Sequence, residues 1–187
     1  ADQAGDWMAL LSKPLIALLA LSVITSISAS LVAPLVLVYL QRNGLPPNRV
    51  VWAYVPQGLI WATLPPYLGK LSDRFGRVPL MAIALLGSAA SSLGIAYARG
   101  LLPVAALWGI EALAQAAGSP AQNALISDIT GGSRRGRAYG LFMTAGGVGV
   151  TAGPLLGGWL YDAVSPSTPF AINAGILAAC GLALLLA

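Results

Sequence analysis

Four polar side chains recur at helical spacing inside a long apolar stretch of the chain. Glu111, Gln115, Ser119 and Gln122 are separated by four, four and three residues, so they share one face of a helix. A carboxyl group in such a setting is costly in its charged form and is a candidate for function by default. Glu111 could exchange a proton or bind a substrate, or it could be a structural group bonded to a neighbouring helix.

Another apolar stretch carries Tyr54, Gln57 and Trp61, at spacings of three and four. These side chains could line a cavity for a small molecule, or they could satisfy the backbone of neighbouring helices. The pattern identifies no substrate.

The composition indicates which kind of protein positions these groups. Of 187 residues, 57% are hydrophobic and 9% are charged, whereas a soluble domain usually has about 25% charged residues. Soluble enzymes, disordered tails and nucleic-acid modules are therefore poor interpretations. Histidine is absent and Cys180 is the single cysteine. We therefore expect no metal site, no cofactor and no enzymatic activity.

Apolar segments long enough to span a membrane, about 20 residues each, predict an all-α bundle of six transmembrane helices. A lead-in or linker (residues 1–13) precedes the bundle (residues 14–187). Because the chain starts with Ala1 and ends inside an apolar run, we expect it to be a piece of a longer protein or a processed one. The predicted spans are 14–40, 50–69, 78–98, 101–128, 138–161 and 168–187.

The distribution of basic residues predicts that both ends of the chain are cytoplasmic. The start and the second and fourth gaps hold seven Lys or Arg residues, and the first and third gaps hold three. Cytoplasmic loops carry such an excess. The seven are Lys13, Lys70, Arg74, Arg77, Arg134, Arg135 and Arg137, and the three are Arg42, Arg49 and Arg99.

The second gap holds a compact charge cluster. Gly69 is expected to end one helix and Gly76 to permit a tight turn, with Asp73, Arg74 and Arg77 at the cytoplasmic boundary. Ion pairs between helix ends could lock one arrangement of helices and release another. The alternative is a plain hairpin that needs positive charge but no particular order.

The fifth predicted helix carries a regular glycine pattern. Glycines every four residues make a smooth groove that permits close helix packing, and a proline beside the groove can bend the helix. We expect this glycine face to meet helices of a missing half of the protein, and generic packing is the alternative. The pattern consists of Gly140, Gly149, Gly153, Pro154, Gly157 and Gly158.

Both patterns resemble motifs of the major facilitator superfamily. The segment from Gly69 to Arg77 is similar to the family signature G-x-x-x-D-R-x-G-R between the second and third helices of a half, and it departs at Val78, where a further basic residue is common. The segment from Gly140 to Gly158 resembles the pattern G-x8-G-x3-G-P-x2-G-G of the antiporter branch. The resemblance implies one six-helix half of a transporter.

The resemblance also implies roles for individual residues in the fourth helix. Asp128 is expected to pair with Arg74 near the cytoplasmic surface. Trp108 stands where family members often carry an arginine, so an arginine-based proton relay is not expected here, and Glu111 stands near a common glutamine. The candidate proton or substrate site is Glu111, Gln115, Gln57 and Tyr54.

The function implied is secondary active transport by alternating access, with proton-coupled efflux of a small molecule or drug preferred. The expected partners are membrane lipid, the other six-helix half, the substrate and protons, with no nucleic acid, in a bacterial inner membrane. Uptake or facilitated diffusion, and a non-transporting module that binds a partner bundle, remain alternatives. Both motifs suit an amino-terminal half. The missing arginine and the linker-like start favour the carboxy-terminal half, which is our expectation.

Overall fold

The structure, a computed structural model, describes residues 12–186, and for residues 131–134 it describes the backbone alone. Most of the expected lead-in, residues 1–13, lies outside this range. Residues 12–186 form helices joined by short turns. The helices are α1 (Lys13–Val32), α2 (Leu35–Arg42), α3 (Pro47–Val50), α4 (Val55–Thr63), α5 (Pro65–Phe75), α6 (Arg77–Tyr97), α7 (Leu101–Ala163) and α8 (Thr168–Leu186), with a 3-10 turn at Val51–Tyr54.

Five stretches are long and apolar enough to cross a membrane, and they match five of the six predicted spans. They form the first, third, fourth, fifth and sixth spans, at Lys13–Arg42, Arg77–Tyr97, Leu101–Thr130, Arg135–Ala163 and Thr168–Leu186. The fold is therefore all-helical, as the composition predicted. A proline that cannot donate a backbone hydrogen bond interrupts the first span at Ala33–Pro34, between α1 and α2.

The second predicted span is helical but broken. It extends from Pro47 to Phe75 as α3, the 3-10 turn, α4 and α5, none of which is long enough to span a membrane. Pro56 lies in the first turn of α4, directly after the 3-10 turn. At the other end of α4 the chain bends at Leu64 and Pro65. Prolines remove backbone donors and kink a helix, which is why an apolar run here does not give one straight helix.

The expected break between the fourth and fifth spans is confirmed as a boundary between two spans, Leu101–Thr130 and Arg135–Ala163. Its local conformation differs from the expected glycine-rich loop, because hydrogen bonding of the helical type continues through residues 131–137. Residues 131–137 contain no proline, so each backbone N–H there can donate to such a bond.

Contacts show that these two parts of α7 run in opposite directions. Gly87 and Gly94 of α6 face Ala114 and Leu107, so the fourth span is antiparallel to α6. The fifth span runs parallel to α1, because Gly149 packs on Ser26 and Gly157 packs on Leu31 further along both helices.

Helix α8 is antiparallel to α6, because Ser92 bonds with Phe170 and Asn173 while Gly181 faces Ala82 and Leu86. It is antiparallel to α1 as well, because Ser28 bonds with Asn173 while Leu184 packs on the cluster that contains Leu15 and Leu18. The chain therefore turns back between the fourth and fifth spans, and α7 is not one straight helix.

A buried polar network joins three spans. Ser28 Oγ donates to Asn173 Oδ1 at 2.5 Å, and Asn173 Nδ2 donates to Ser92 Oγ at 2.9 Å. Ser92 Oγ in turn donates to the Phe170 carbonyl oxygen at 3.0 Å. All three side chains are buried, and in a membrane such groups must be satisfied within the protein. The network therefore ties α1, α6 and α8 together.

Ion pairs between spans link the described residues at both ends of the bundle. At one end Arg42 Nη2 lies 2.8 Å from Asp162 Oδ1, which joins the first and fifth spans. At the other end Arg77 pairs with Asp128, which joins the third and fourth spans. We name the two ends of the bundle the Arg42 end and the Arg77 end.

Candidate functional site

A cavity of about 280 Å³, lined by both polar and apolar side chains, lies among the first, second, third, fourth and sixth spans. The four residues predicted to share one face of the fourth helix, Glu111, Gln115, Ser119 and Gln122, all line it. The periodicity thus placed on one helix face four side chains that line a single cavity. Facing spans contribute Thr25, Ser26, Trp61 and Ser88, together with apolar side chains.

Glu111 is the ionisable group of this cavity. Its side chain is buried, with 3% of the residue exposed. Gln115 Nε2 donates to Glu111 Oε1 at 3.2 Å, and the Ser88 side chain also lies beside the carboxyl group. The other oxygen, Oε2, has no hydrogen-bond partner among the described residues. One oxygen therefore keeps its capacity to bind a proton or a donor group.

The depth of Glu111 in the fourth span places it far from both ends. It lies ten residues after Leu101, where the helix begins, and at about 1.5 Å per residue this is about 15 Å. The hydrocarbon core of a membrane is about 30 Å thick. The carboxyl group thus lies well inside the span, where ionisable residues are rare and mark pathways for ions or substrates.

Tyr54 and Gln57, the other candidates for this site, lie outside the cavity lining. They surround Trp108, one turn before Glu111 on the fourth span. Trp108 Nε1 donates to Gln57 Oε1 at 2.6 Å, and the rings of Tyr54 and Trp108 meet edge to face with centroids 6.1 Å apart. Trp61, one turn after Gln57, does line the cavity. Sequence spacing placed these groups on one face but could not show which of them reach the cavity.

The charge cluster at the Arg77 end differs from the prediction in two respects. Gly69 does not end a helix, because α5 continues to Phe75, and the turn occurs at Gly76 with φ +89°. Asp128 pairs with Arg77 rather than with Arg74. Arg77 begins α6, which is antiparallel to the fourth span, so it lies level with Asp128.

The two remaining charges of the cluster face outward. Arg74 lies over the ring of Phe75, 5.6 Å from its centroid. Asp73 is exposed, and it forms no ion pair with the side chains that the structure describes. Arg77 also donates through Nη1 to the Ala124 carbonyl oxygen at 2.8 Å. Among the three charged residues of the cluster, Arg77 is therefore the one that links to the fourth span.

The glycine groove of the fifth span is filled by α1. A Cβ atom added at Gly149 or Gly153 would lie 2.6 Å from atoms of Ser26 or Ser30, and one at Gly157 would collide with the Leu31 carbonyl oxygen. The expectation that this face meets a missing half is therefore wrong for these three glycines. The spacing predicted a close helix contact but could not identify the helix.

The other members of the glycine pattern have a different environment. Nothing lies within 4 Å of a Cβ atom added at Gly140 or Gly158. Pro154 is exposed and lies within α7 without ending it. These positions leave room for contacts outside the described chain.

Comparisons with known proteins show which proteins this chain resembles. A family model described as Major Facilitator Superfamily matches residues 17–187. The class H tetracycline resistance protein of Pasteurella multocida is 32% identical over 164 residues, which cover 86% of this chain and 40% of that protein. The multidrug resistance protein MdtG of Serratia proteamaculans is 29% identical over 162 residues, which cover 84% of this chain and 39% of that protein.

Further similarity comes from a shorter alignment and from a solved structure. The class C tetracycline resistance protein of Escherichia coli is 41% identical over 105 residues, 56% of this chain and 26% of that protein. A bacterial homolog of the human lysosomal transporter Spinster, in an inward-facing and unoccupied conformation, has a TM-score of 0.76 and 18% identity, and the match covers 92% of this chain and 42% of that one. This chain thus spans about two fifths of the length of the curated relatives that it matches over most of its residues.

Proposed function

The chain belongs to the major facilitator superfamily, and from this we propose that it forms one six-helix half of a transporter that exports a small molecule in exchange for protons. The observation that carries the proposal is Glu111, a buried carboxyl group that lines the cavity and has one oxygen without a hydrogen-bond partner among the described residues. The family consists of transporters rather than enzymes. Alternating access requires a site near the middle of the membrane, and the depth of Glu111 is consistent with this.

Export is preferred because of the relatives that resemble the chain. Three of them are named for resistance to tetracycline or to multiple drugs. Resistance through a membrane transporter is most simply explained by removal of the compound from the cell. Tetracycline is therefore the first probe to test, and a drug-sized organic molecule is the substrate class that we propose.

The second six-helix half is the partner that we propose for the exposed face of this bundle. In the most apolar stretch of the fifth span 22% of the residues are buried within the bundle, against 50% in the third span. Helix α4 has no buried residue. A second half of equal size would account for most of the length in which the relatives exceed this chain. Large apolar side chains are exposed on these two spans, among them Val55, Leu59, Tyr67, Val148, Leu155 and Trp159.

Transport in proteoliposomes tests the proposal. We expect the full-length transporter to move tetracycline against its concentration gradient when a pH gradient is imposed, and to stop when an ionophore collapses that gradient. The 187-residue chain alone should fold in detergent and transport nothing, because half of the cavity wall is absent. Gradient-driven transport by a monomer of the short chain would contradict the half-transporter proposal.

Charge bias supports an orientation with both ends in the cytoplasm of a bacterial inner membrane. In a full-length protein that carries Cys180→Ala, Asn43→Cys should react with an impermeant thiol reagent added outside intact cells. Ser133→Cys should react only after the cells are opened. The reverse labelling pattern would invert the proposed topology.

A further inference from the structure

Trp108 and Gln57 form a layer beside the cavity, on its Arg42-end side. The hydrogen bond from Trp108 Nε1 to Gln57 Oε1 is 2.6 Å long, and Trp108 is only 5% exposed. Three residues after Trp108 comes Glu111, and four residues after Gln57 comes Trp61, both of which line the cavity. The bond thus joins the fourth and second spans one helical turn from a cavity residue on each.

The middle of the second span is held mainly on its side toward the fourth span. Helix α4 has no fully buried residue, and its Pro56, Gln57 and Ile60 lie against Trp108 and Gly109. It is separated from the helices on either side by the 3-10 turn at Val51–Tyr54 and by the bend at Leu64. The position of α4, and of Trp61 on it, therefore depends on its contacts with the fourth span.

Other contacts among the first, second and fourth spans lie at the level of Trp108 and Gln57. A Cβ atom at Gly109 would lie 3.0 Å from Pro56 Cβ, so the two spans approach closely there. The Tyr54 ring packs on Trp108, and Tyr54 Oη donates to the Ala33 carbonyl oxygen at 3.3 Å, where the first span is interrupted. The interrupted parts of the first and second spans are thus both linked to Trp108.

We propose that Trp108 is a positioning residue of the cavity. Its indole N–H holds Gln57, and through α4 it sets the position of Trp61 in the cavity wall that also contains Glu111. The effect on transport rests on the function proposed above, whereas the effect on the cavity does not. Trp108 itself does not line the cavity, so the role proposed for it is positioning.

A labelling experiment tests the effect on the cavity without any substrate. In the full-length transporter, Ser119→Cys places a thiol in the cavity wall, and its rate of reaction with a water-soluble thiol reagent reports access to the cavity. Trp108→Phe keeps an aromatic ring and removes the N–H donor. We expect a labelling rate about two- to tenfold higher, the range that corresponds to loss of one hydrogen bond. Gln57→Leu should have the same effect, and the double variant no larger one.

Two controls distinguish a local effect on the cavity wall from destabilisation of the whole bundle. Trp52 is on the second span, like Gln57, and is 62% exposed. Trp52→Phe removes its indole and should leave the labelling rate unchanged. Cys180, on the sixth span and partly buried, should keep its own reactivity in every variant. If Trp108→Phe and Gln57→Leu both fold and label at the wild-type rate, or if Cys180 labelling rises in parallel, the proposal is overturned.

Transport kinetics test the effect on substrate binding. With tetracycline as probe, Trp108→Phe should raise KM about two- to tenfold, while kcat and the pH profile remain those of the wild type, because Glu111 is retained. An unchanged KM in a transporting protein would overturn the positioning role. If the wild type transports nothing and the labelling rates still differ, the proposed function fails and the positioning of the cavity wall stands.

Discussion

Gly157→Ala is expected to destabilise this bundle strongly, whereas Gly158→Ala, one residue away, is expected to leave its stability unchanged or slightly raised. The added methyl group at position 157 would collide with the carbonyl oxygen of Leu31, and its next neighbours are also backbone atoms of that residue. Backbone atoms inside a helix cannot rotate away as a side chain can. Relief therefore requires that α1 and the fifth span separate along their whole contact.

The size of this effect follows from the packing around the glycines. Overpacking a well-packed site costs about 1–3 kcal/mol, and occasionally more. At Gly157 a helix shift would also disturb the contacts at Gly153 and Gly149, where an added Cβ atom would lie 2.6 Å from atoms of α1. It would disturb the 3.0 Å hydrogen bond from Ser30 Oγ to the Gly149 carbonyl oxygen as well. We expect a loss at or above the upper end of that range.

Size-exclusion profiles of detergent-solubilised protein after heating would measure this difference. Gly158→Ala is a matched control, because nothing lies within 4 Å of its added Cβ atom, and alanine is favoured over glycine in a helix by about 1 kcal/mol. The Gly158 variant should melt at or above the wild-type temperature in the isolated chain. Equal melting temperatures for the two variants would show that α1 does not fill the groove as described.

Patterns that depend on a single helix were predictable from the sequence. The wall of the cavity follows from the spacing of Glu111, Gln115, Ser119 and Gln122, because one helix places all four on one side. The long apolar spans are similarly local, and five of them match the structure closely. In each case the property belongs to consecutive residues and requires no knowledge of a neighbour.

Features that depend on two helices were predicted less well, for a physical reason. The partner of Asp128 is Arg77, three residues from the expected Arg74, because the level of each arginine depends on where α5 ends and α6 begins. The glycine groove predicts close packing but leaves its partner undetermined. The role of Asn173 could not be predicted from the sequence, because its hydrogen-bond partners, Ser28 and Ser92, lie on other helices.

Glu111→Gln is expected to abolish proton-driven accumulation by the full-length transporter. Glutamine preserves the size of the side chain and an oxygen that can accept the hydrogen bond from Gln115 Nε2, which is 3.2 Å long in the structure. It removes only the ability to bind and release a proton. Accumulation against a gradient should therefore fall to the level seen with a collapsed pH gradient, while exchange of tetracycline without a gradient continues.

Glu111→Asp is the matched control for this experiment, because it keeps a titratable carboxyl group at the same position and should retain part of the proton coupling.

Binding of tetracycline, measured on the same proteins, distinguishes the remaining roles of Glu111. If the carboxylate binds a cationic group of the substrate, the Gln variant should bind more weakly, because the counter-charge is lost. If Glu111 is a neutral structural group, glutamine should substitute for it and both binding and accumulation should persist. Wild-type accumulation in the Gln variant would therefore remove Glu111 from proton coupling and assign the proton site to the other half of the transporter.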